Sequence, residues 1–321
     1  MIIAITGGAG FLGSALTQQL AARHTLYLLD LNPLPSWFPV GNAHFIQADV
    51  REFSDFFDCD LIIHAASPVG PVGILSGGGA IGPSMIQGVE QMIRWALAKQ
   101  SKLFFISSSE VYGQGGRLLP EDAECVFRGP TPSIRNEYAQ AKLLAEIIIG
   151  NTAKHHPQFS YQIVRPFNIA GPRQLPEKGF VLPRFIIQAL ADRALTVYGD
   201  GSQQRAFTHV RDIARGIVTV AQASHKHDNN VWNLGNPANC TTIHALAELV
   251  CRTIGKGSIQ YCDPRELHGP WFTECEEKLP DISHVQSQLG WEPAFPLSRI
   301  IADSVAFWTE DNRYREYLDH I

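Results

Sequence analysis

A short apolar run, Ile2–Thr6, gives way at once to glycines at 7, 10 and 13 and then to a helical pattern over 10–23. Nothing else in the 321 residues restricts the fold as strongly. At a strand-to-helix junction the first glycine permits the tight turn, the second lets a diphosphate approach the backbone, and the third lets helix pack on strand. The helix N-terminus then holds the negative charge through its open amides. Asp30 ends the next apolar run, Thr25–Asp30, where a carboxylate can bind a ribose 2′-hydroxyl. Leu31-Asn32-Pro33 follows without a cation, which favours NAD over NADP. Gly7, Gly10, Phe11, Leu12, Gly13 and Asp30 are therefore the expected cofactor-binding set.

Further strands read at 44–48, 61–65, 103–107 and 161–165, alternating with helical patterns over 83–99 and 137–151. Strands alternating with helices imply right-handed βαβ units, hence an α/β fold with a doubly wound, Rossmann-like parallel sheet. Beyond Arg165 the prolines at 166, 172, 176 and 183 break the chain into shorter elements. The expected division is an NAD-binding domain over 1–172, with a returning segment near 206–233, and a smaller α/β substrate lobe over 173–321. The glycine-rich stretch 70–82 reads either as a mobile loop over the site or as a permissive surface turn.

A chain of this length needs no disulfide or metal staple. Its net charge of −5 argues against a general nucleic-acid binder. The cysteines at 59, 125, 240, 251, 262 and 275 form no C-x-x-C pair or zinc spacing, so isolated reduced thiols and no metal are expected. Thr6-Gly7-Gly8 cuts short the apolar start, unlike a signal peptide, and no apolar run approaches membrane-spanning length. A cytoplasmic protein without a membrane partner is the expectation.

Three blocks carry a resemblance. Ser107-Ser108-Ser109-Glu110-Val111-Tyr112-Gly113 follows the fifth strand, Tyr138-Ala139-Gln140-Ala141-Lys142 opens a helix, and Arg165-Pro166-Phe167-Asn168-Ile169-Ala170-Gly171-Pro172-Arg173 follows the sixth strand. With the glycine turn they resemble the extended short-chain dehydrogenase/reductases of the nucleotide-sugar epimerase/dehydratase/decarboxylase group. The likeness runs on through Val197-Tyr198-Gly199-Asp200-Gly201 and Arg205-Ala206-Phe207 to Leu289-Gly290-Trp291, nearly the whole chain. Tyr138 and Lys142, four residues apart, share one helix face. An ammonium beside a phenol, with the positive nicotinamide ring, is expected to lower the phenol pKa towards neutrality. The phenolate can then take a sugar hydroxyl proton while hydride leaves that carbon. The resemblance gives Ser108, Tyr138 and Lys142 the oxidation at C4. It implies that Asp49, Val50, Ala65 and Ala66 line the cofactor cleft, and that Ser109, Asn168, Arg173, Tyr198, Arg205 and Lys278 bind a UDP-linked sugar. It also implies a homodimer, for which Trp95, Leu143, Leu144, Ile147 and Ile148 suit a helical interface or equally a core. His64 at the fourth strand's end reads as structural rather than ligating.

Glu110 separates the reactions. A C4 ketone acidifies the C5 proton, and Glu110 is placed as its base, which plain 4-epimerases of the group do not need. Family 4,6-dehydratases carry Asp-Glu here, where this chain has Ser109-Glu110. Family UDP-glucuronate decarboxylases carry Ser-Glu but pair it with an Arg-x-Pro-Asp block, replaced here by Lys278-Leu279-Pro280-Asp281. Lysine keeps the charge and loses the fork suited to carboxylate. The first reading is an NAD-dependent dehydratase that oxidises C4, deprotonates C5 and expels the C6 hydroxyl. Return of hydride to C4 would leave a 5,6-alkene, the reaction of the tunicamycin-pathway UDP-N-acetylglucosamine 5,6-dehydratase, to which the chain has a resemblance. Decarboxylation or 4-epimerisation of a UDP-sugar is the alternative. A sensor that keeps NAD without catalysis would be expected to have lost Tyr138, Lys142 or Ser108, and all three are present.

Overall fold

The structure, a computed structural model, describes residues 1–127, 134–269 and 277–320. Cys275 lies outside the described residues. Seven parallel strands form the central sheet: β1 (Ile2–Thr6), β2 (Thr25–Asp30), β3 (Ala43–Gln47), β4 (Leu61–His64), β5 (Lys102–Ile106), β6 (Tyr161–Pro166) and β7 (Asn230–Leu234). Their order is β7-β6-β5-β4-β1-β2-β3, so the chain reverses direction across the sheet beside β1. That reversal opens a crevice at the strands' carboxyl ends, where ligands bind in sheets of this kind.

Period-two alternation in β1 divides the core. Ile3 and Ile5 face helices α1 (Phe11–Leu20) and α6 (Val210–Ala221), packing with Leu16, Ile213, Ile217 and Trp232. Ala4 faces the opposite side, where α3 (Ile81–Lys99) and α4 (Ile134–His155) contribute Val89, Met92, Trp95, Ala145 and Ile149. Both faces are covered, so the central strands Ile2–Thr6, Leu61–His64 and Lys102–Ile106 are largely apolar. Trp95 is wholly buried and donates its indole N–H to the Phe57 carbonyl, which places it in the core rather than on an interface. Leu144 and Ile147 on α4 remain exposed.

The later residues build a second core. Helices α5 (Val181–Leu190), α7 (Ile243–Ile254) and α8 (Leu297–Thr309) bury Phe185, Ile186, Leu246, Val250, Ile300 and Trp308 together. A two-stranded parallel ribbon, Ala194–Tyr198 beside Ser258–Cys262, extends this lobe. α6 and β7 return to the first sheet after the chain has visited the second lobe, so the two cores are laced together.

The stretch 70–82 is neither an open lid nor a free surface turn. It holds helix α2 (Pro71–Ser76) and the start of α3. Gly70 has φ +82 and sits so close to the 176–178 turn that a Cβ would lie 2.3 Å from the Lys178 carbonyl oxygen. From the other side the Glu137 carboxylate accepts the N–H groups of Gly79 (2.6 Å) and Gly82 (2.8 Å). Those amides flank the N-terminus of α3, so the Glu137 carboxylate caps it, where a negative charge is favourable.

Candidate functional site

The crevice is a cavity of about 1020 Å³ between the sheet's carboxyl edge and the second lobe. Its first wall is the glycine turn. Gly7 has φ +69, and a Cβ there would meet Ala65 and Ala66 backbone atoms at 2.8 Å. At Gly13 a Cβ would lie 2.4 Å from the Gly8 oxygen, so this glycine seats α1 against the turn without facing the cavity. No side chain caps the α1 N-terminus, and its first turn holds no acid, so the amides after Gly10 stay available to an anion. Asp30 accepts the Ala9 and Asn32 N–H groups at 3.1 and 3.0 Å, which fixes its carboxylate at the end of β2. Asp49, Val50, Ala65 and Ala66 continue the same wall. The Arg51 guanidinium hydrogen-bonds the Asp49 carboxylate and holds its pKa below the usual range. A turn a side chain would block, an uncapped helix start and a fixed carboxylate twenty residues on fit a dinucleotide with a free 2′-hydroxyl.

At the centre of the cavity lie Ser67, Ser108, Glu110 and Tyr138. Ser108 ends the segment after β5, and its hydroxyl accepts the Glu110 N–H at 3.2 Å, which turns the Glu110 side chain back towards the site. Tyr138 and Lys142 stand one turn apart on α4, and both are buried. Burial governs the protonation of both. Burial pushes the Tyr138 phenol up to about 12, although the neighbouring Ser108 and Ser67 hydroxyls favour its ionised form. Burial also presses the Lys142 ammonium down to about 7, against the pull of the Glu146 carboxylate. Lys142 Nζ donates to the Ile106 carbonyl at 2.8 Å and lies 5.9 Å from the Tyr138 ring centre. In the protein without a nicotinamide, desolvation and the nearby Glu110 carboxylate outweigh the two serines.

His64 lies under this centre, 3% exposed. Its Nδ1 is 2.7 Å from the Thr6 hydroxyl, and burial together with the nearby Lys142 charge brings its pKa down to about 3. It is a neutral structural ring, as expected.

The substrate candidates divide. Ser109, Asn168, Arg173, Tyr198 and Arg205 all line the cavity. Asn168 adopts φ +35 and donates to the Ala206 carbonyl at 3.3 Å. Arg205 is 9% exposed, and Tyr198 lies 4.0 Å beneath the Arg184 guanidinium. Arg173 turns towards the cofactor end instead: its guanidinium sits 5.8 Å over the Trp37 ring, in the loop that follows Asp30. Lys278 does not line the cavity. Its ammonium is buried behind Glu110, 3.4 Å from Oε2, where a phosphate would have to displace a carboxylate.

Three cavity residues escaped the sequence reading. Arg135 lies 3.9 Å from Glu110 Oε1 and one turn before Tyr138. Its spacing was a signal, but α4 starts a turn earlier than the apolar pattern indicates. Arg184 is buried on α5 and donates to the Thr196 carbonyl at 2.9 Å; nothing in the sequence separates it from a surface arginine. Ser67 lies three residues past β4 and was visible only as part of the strand's end.

Residues 3–235 match the family described as NAD dependent epimerase/dehydratase. UDP-glucuronic acid decarboxylase 2 of Arabidopsis thaliana is 31% identical over 99% of this chain and 69% of its own length. Among solved structures, the NAD-dependent NDP-hexosamine 5,6-dehydratase TunA, involved in tunicamycin biosynthesis, superposes with a TM-score of 0.83 at 26% identity, covering 96% of this chain and 98% of that one. UDP-glucuronic acid 4-epimerase of Bacillus cereus, solved with UDP-glucuronic acid and NAD, gives a TM-score of 0.82 at 25% identity over 97% and 99% of the two chains. With a fitting dinucleotide wall, a buried tyrosine–lysine pair and a family match across most of its length, this chain belongs to the NAD-dependent epimerase/dehydratase family of nucleotide-sugar enzymes.

Proposed function

We propose that the protein dehydrates a UDP-linked hexose or hexosamine, removing the C5 proton and the C6 hydroxyl after C4 has been oxidised. Bound NAD supplies a hydride acceptor and a fixed positive charge beside Tyr138. The Tyr138 phenolate takes the proton of the sugar 4-hydroxyl, and Ser108 holds that oxygen. Glu110 takes the C5 proton, made acidic by the neighbouring ketone, and passes it to the departing C6 hydroxyl; the hydride taken from C4 must then return to the sugar, at C4 or at C6, so that the dehydration is redox-neutral. Asn168 and Arg205 offer donors for the diphosphate, and Tyr198 a face for the base.

The observation that carries this reading is the placement of Lys278. The cation of the Lys278-Leu279-Pro280-Asp281 block is spent behind Glu110, holding a carboxylate that faces the cavity, and is not offered to a substrate carboxylate. One observation favours decarboxylation: Arg135 lines the same end of the cavity, and its guanidinium fork suits a C6 carboxylate.

Incubation of the protein with UDP-N-acetylglucosamine, UDP-glucose and UDP-glucuronate in D₂O, followed by NMR, tests the assignment. Deuterium at C5 beside a C6 methyl, or a new 5,6-alkene, is expected. Loss of the C6 carbon as CO₂, or inversion at C4 without exchange at C5, refutes dehydration. Tyr138→Phe should abolish turnover and leave NAD bound. A homodimer through the exposed Leu144 and Ile147 face of α4 belongs to the same proposal, and sedimentation of Leu144→Glu/Ile147→Glu would show a monomer.

A further inference from the structure

Among the described residues, the arginines that line the cavity face protein acceptors, with one exception. Arg51 clasps Asp49, Arg135 faces Glu110, and Arg184 and Arg205 donate to the carbonyls of Thr196 and Gln204. Arg173 is the exception. It is half-buried, and its Nε is shielded from solvent with no hydrogen-bond partner among the described residues. Its guanidinium lies 5.8 Å over the Trp37 ring, a cation–π contact that supplies no oxygen acceptor for the N–H donors. Two further guanidiniums share its surroundings, and both are already paired: Arg211 with Asp303 at 3.3 Å, and Arg313 with Glu310 at 2.7 Å. Burial and these two charges press the Arg173 guanidinium below its ordinary pKa. The residue also holds a left-handed φ of +74, which side chains other than glycine rarely take. A partly buried cation set among cations is costly, and an anion beside it would relieve that cost.

The surroundings of Trp37 identify the anion. Trp37 belongs to the loop that leaves Asp30, and it packs against the first core, as do Phe11 and Leu12 at the start of α1. It also packs against the second core, meeting the Phe307 ring edge-on at 5.8 Å. The tryptophan thus spans both cores and carries Arg173 to the cofactor end of the cavity. A dinucleotide brings two negative charges to that end on its diphosphate. Residues 7–13 and 30–37 contain no lysine or arginine, and a helix N-terminus contributes only about half an elementary charge. Amides alone leave much of the diphosphate charge unmatched. We infer that Arg173 is a cofactor ligand: seated on Trp37, its guanidinium binds the diphosphate of NAD together with the α1 amides. Asn168 and Arg205 are left to the sugar nucleotide. This role requires only the cofactor, and it holds for any of the UDP-sugar reactions considered above.

Release of NAD from the purified holoenzyme reads this role without turnover. An added dehydrogenase with excess substrate consumes each NAD as it leaves, so the signal follows dissociation. Arg173→Met is expected to speed release about tenfold or more, the effect of losing one charge-assisted contact. Arg173→Lys keeps the charge and loses the flat face on Trp37, so its rate should fall between the two. The affinity of the same holoproteins for UDP, measured by calorimetry, should stay within about twofold of the wild type. NAD release from Arg173→Met within about twofold of the wild type overturns the inference. UDP binding weakened about tenfold with NAD release unchanged also overturns it, and gives Arg173 to the sugar nucleotide. Equal acceleration in Arg173→Met and Arg173→Lys overturns it as well, because lost packing then explains the effect. If Arg173→Met retains too little NAD to measure, Trp37→Leu and Trp37→Phe decide: faster release from Trp37→Leu alone supports a seat for the guanidinium, and equal rates refute it.

Discussion

Protonation of His64 should set the acid limit of this fold. The ring is 3% exposed, hydrogen-bonded to Thr6 and held down to about 3, against 6.5 for an unburied histidine. The direction of the effect follows from proton counting. Below pH 6.5 the unfolded chain binds a proton at this residue, and the folded chain does not until the pH nears 3. Stability is therefore fully retained at neutral pH and falls as the pH drops through that window. At pH 5 the separation is 1.5 units below the ordinary value, worth about 2 kcal/mol at 1.36 kcal/mol per unit. Other groups titrate over the same range, so the measurement must be a double difference. His64→Gln keeps polar atoms within reach of Thr6 and cannot titrate. Urea unfolding of both proteins, followed by tryptophan fluorescence at pH 7.5 and 5.0, gives each one's loss of stability. The wild type should lose about 2 kcal/mol more than His64→Gln. A gap under roughly 0.5 kcal/mol would mean that the ring is protonated in the fold, and the argument from burial would fail.

Two further outcomes follow from contacts outside the central hydroxyls. Glu137→Ala removes the carboxylate that caps α3, which should cost about 1–2 kcal/mol locally and speed amide exchange at Gly79 and Gly82 about tenfold or more; unchanged exchange would show that the 70–82 segment is held by its packing on the 176–178 turn alone. Lys278→Met should lower the turnover of whichever UDP-sugar is converted by tenfold or more, leave its KM within about twofold, and destabilise the fold on the order of 2 kcal/mol, because the ammonium pairs with Glu110 and does not line the cavity; a large rise in KM with kcat unchanged would return Lys278 to the substrate's diphosphate.

The glycine turn, Asp30 and the pair Tyr138 and Lys142 could be read in the sequence because their chemistry depends on local spacing. A turn, the end of a strand and one helical turn are fixed within a few residues, so the cavity walls that they build were foreseeable. The residues read differently are those whose role depends on what crosses the cavity. Lys278 sits at a motif position for a phosphate or carboxylate ligand, and only the pairing of residues 279–280 with 118–119 reveals that its ammonium is brought behind Glu110. Arg173 follows a recognisable block, yet a left-handed backbone at φ +74 turns it to Trp37. Burial was the part of the phenol chemistry that spacing does not show: spacing places an ammonium near Tyr138 but does not say that both groups are desolvated.

The three sequence blocks stay in register for a reason that involves no ligand. Glu146, one turn beyond Lys142, is buried at the back of the site. Its carboxylate accepts the Ser107 hydroxyl from the first block and the Arg165 guanidinium from the third, with Nη2 at 2.6 Å. Arg165 Nη1 in turn donates to the Tyr112 hydroxyl at 3.0 Å, and Tyr112 donates to Asn233 on β7 at 2.7 Å. One carboxylate thus ties the serine segment, the tyrosine helix and β6 together, and the network reaches the strand that returns from the second lobe. A buried charge stripped of its partner costs about 3–5 kcal/mol, so no member can change alone without penalty. Arg165 and Tyr112 therefore belong to the motif blocks as structural cross-links, and their removal should shift the position of Ser108 relative to Tyr138 before it affects any ligand.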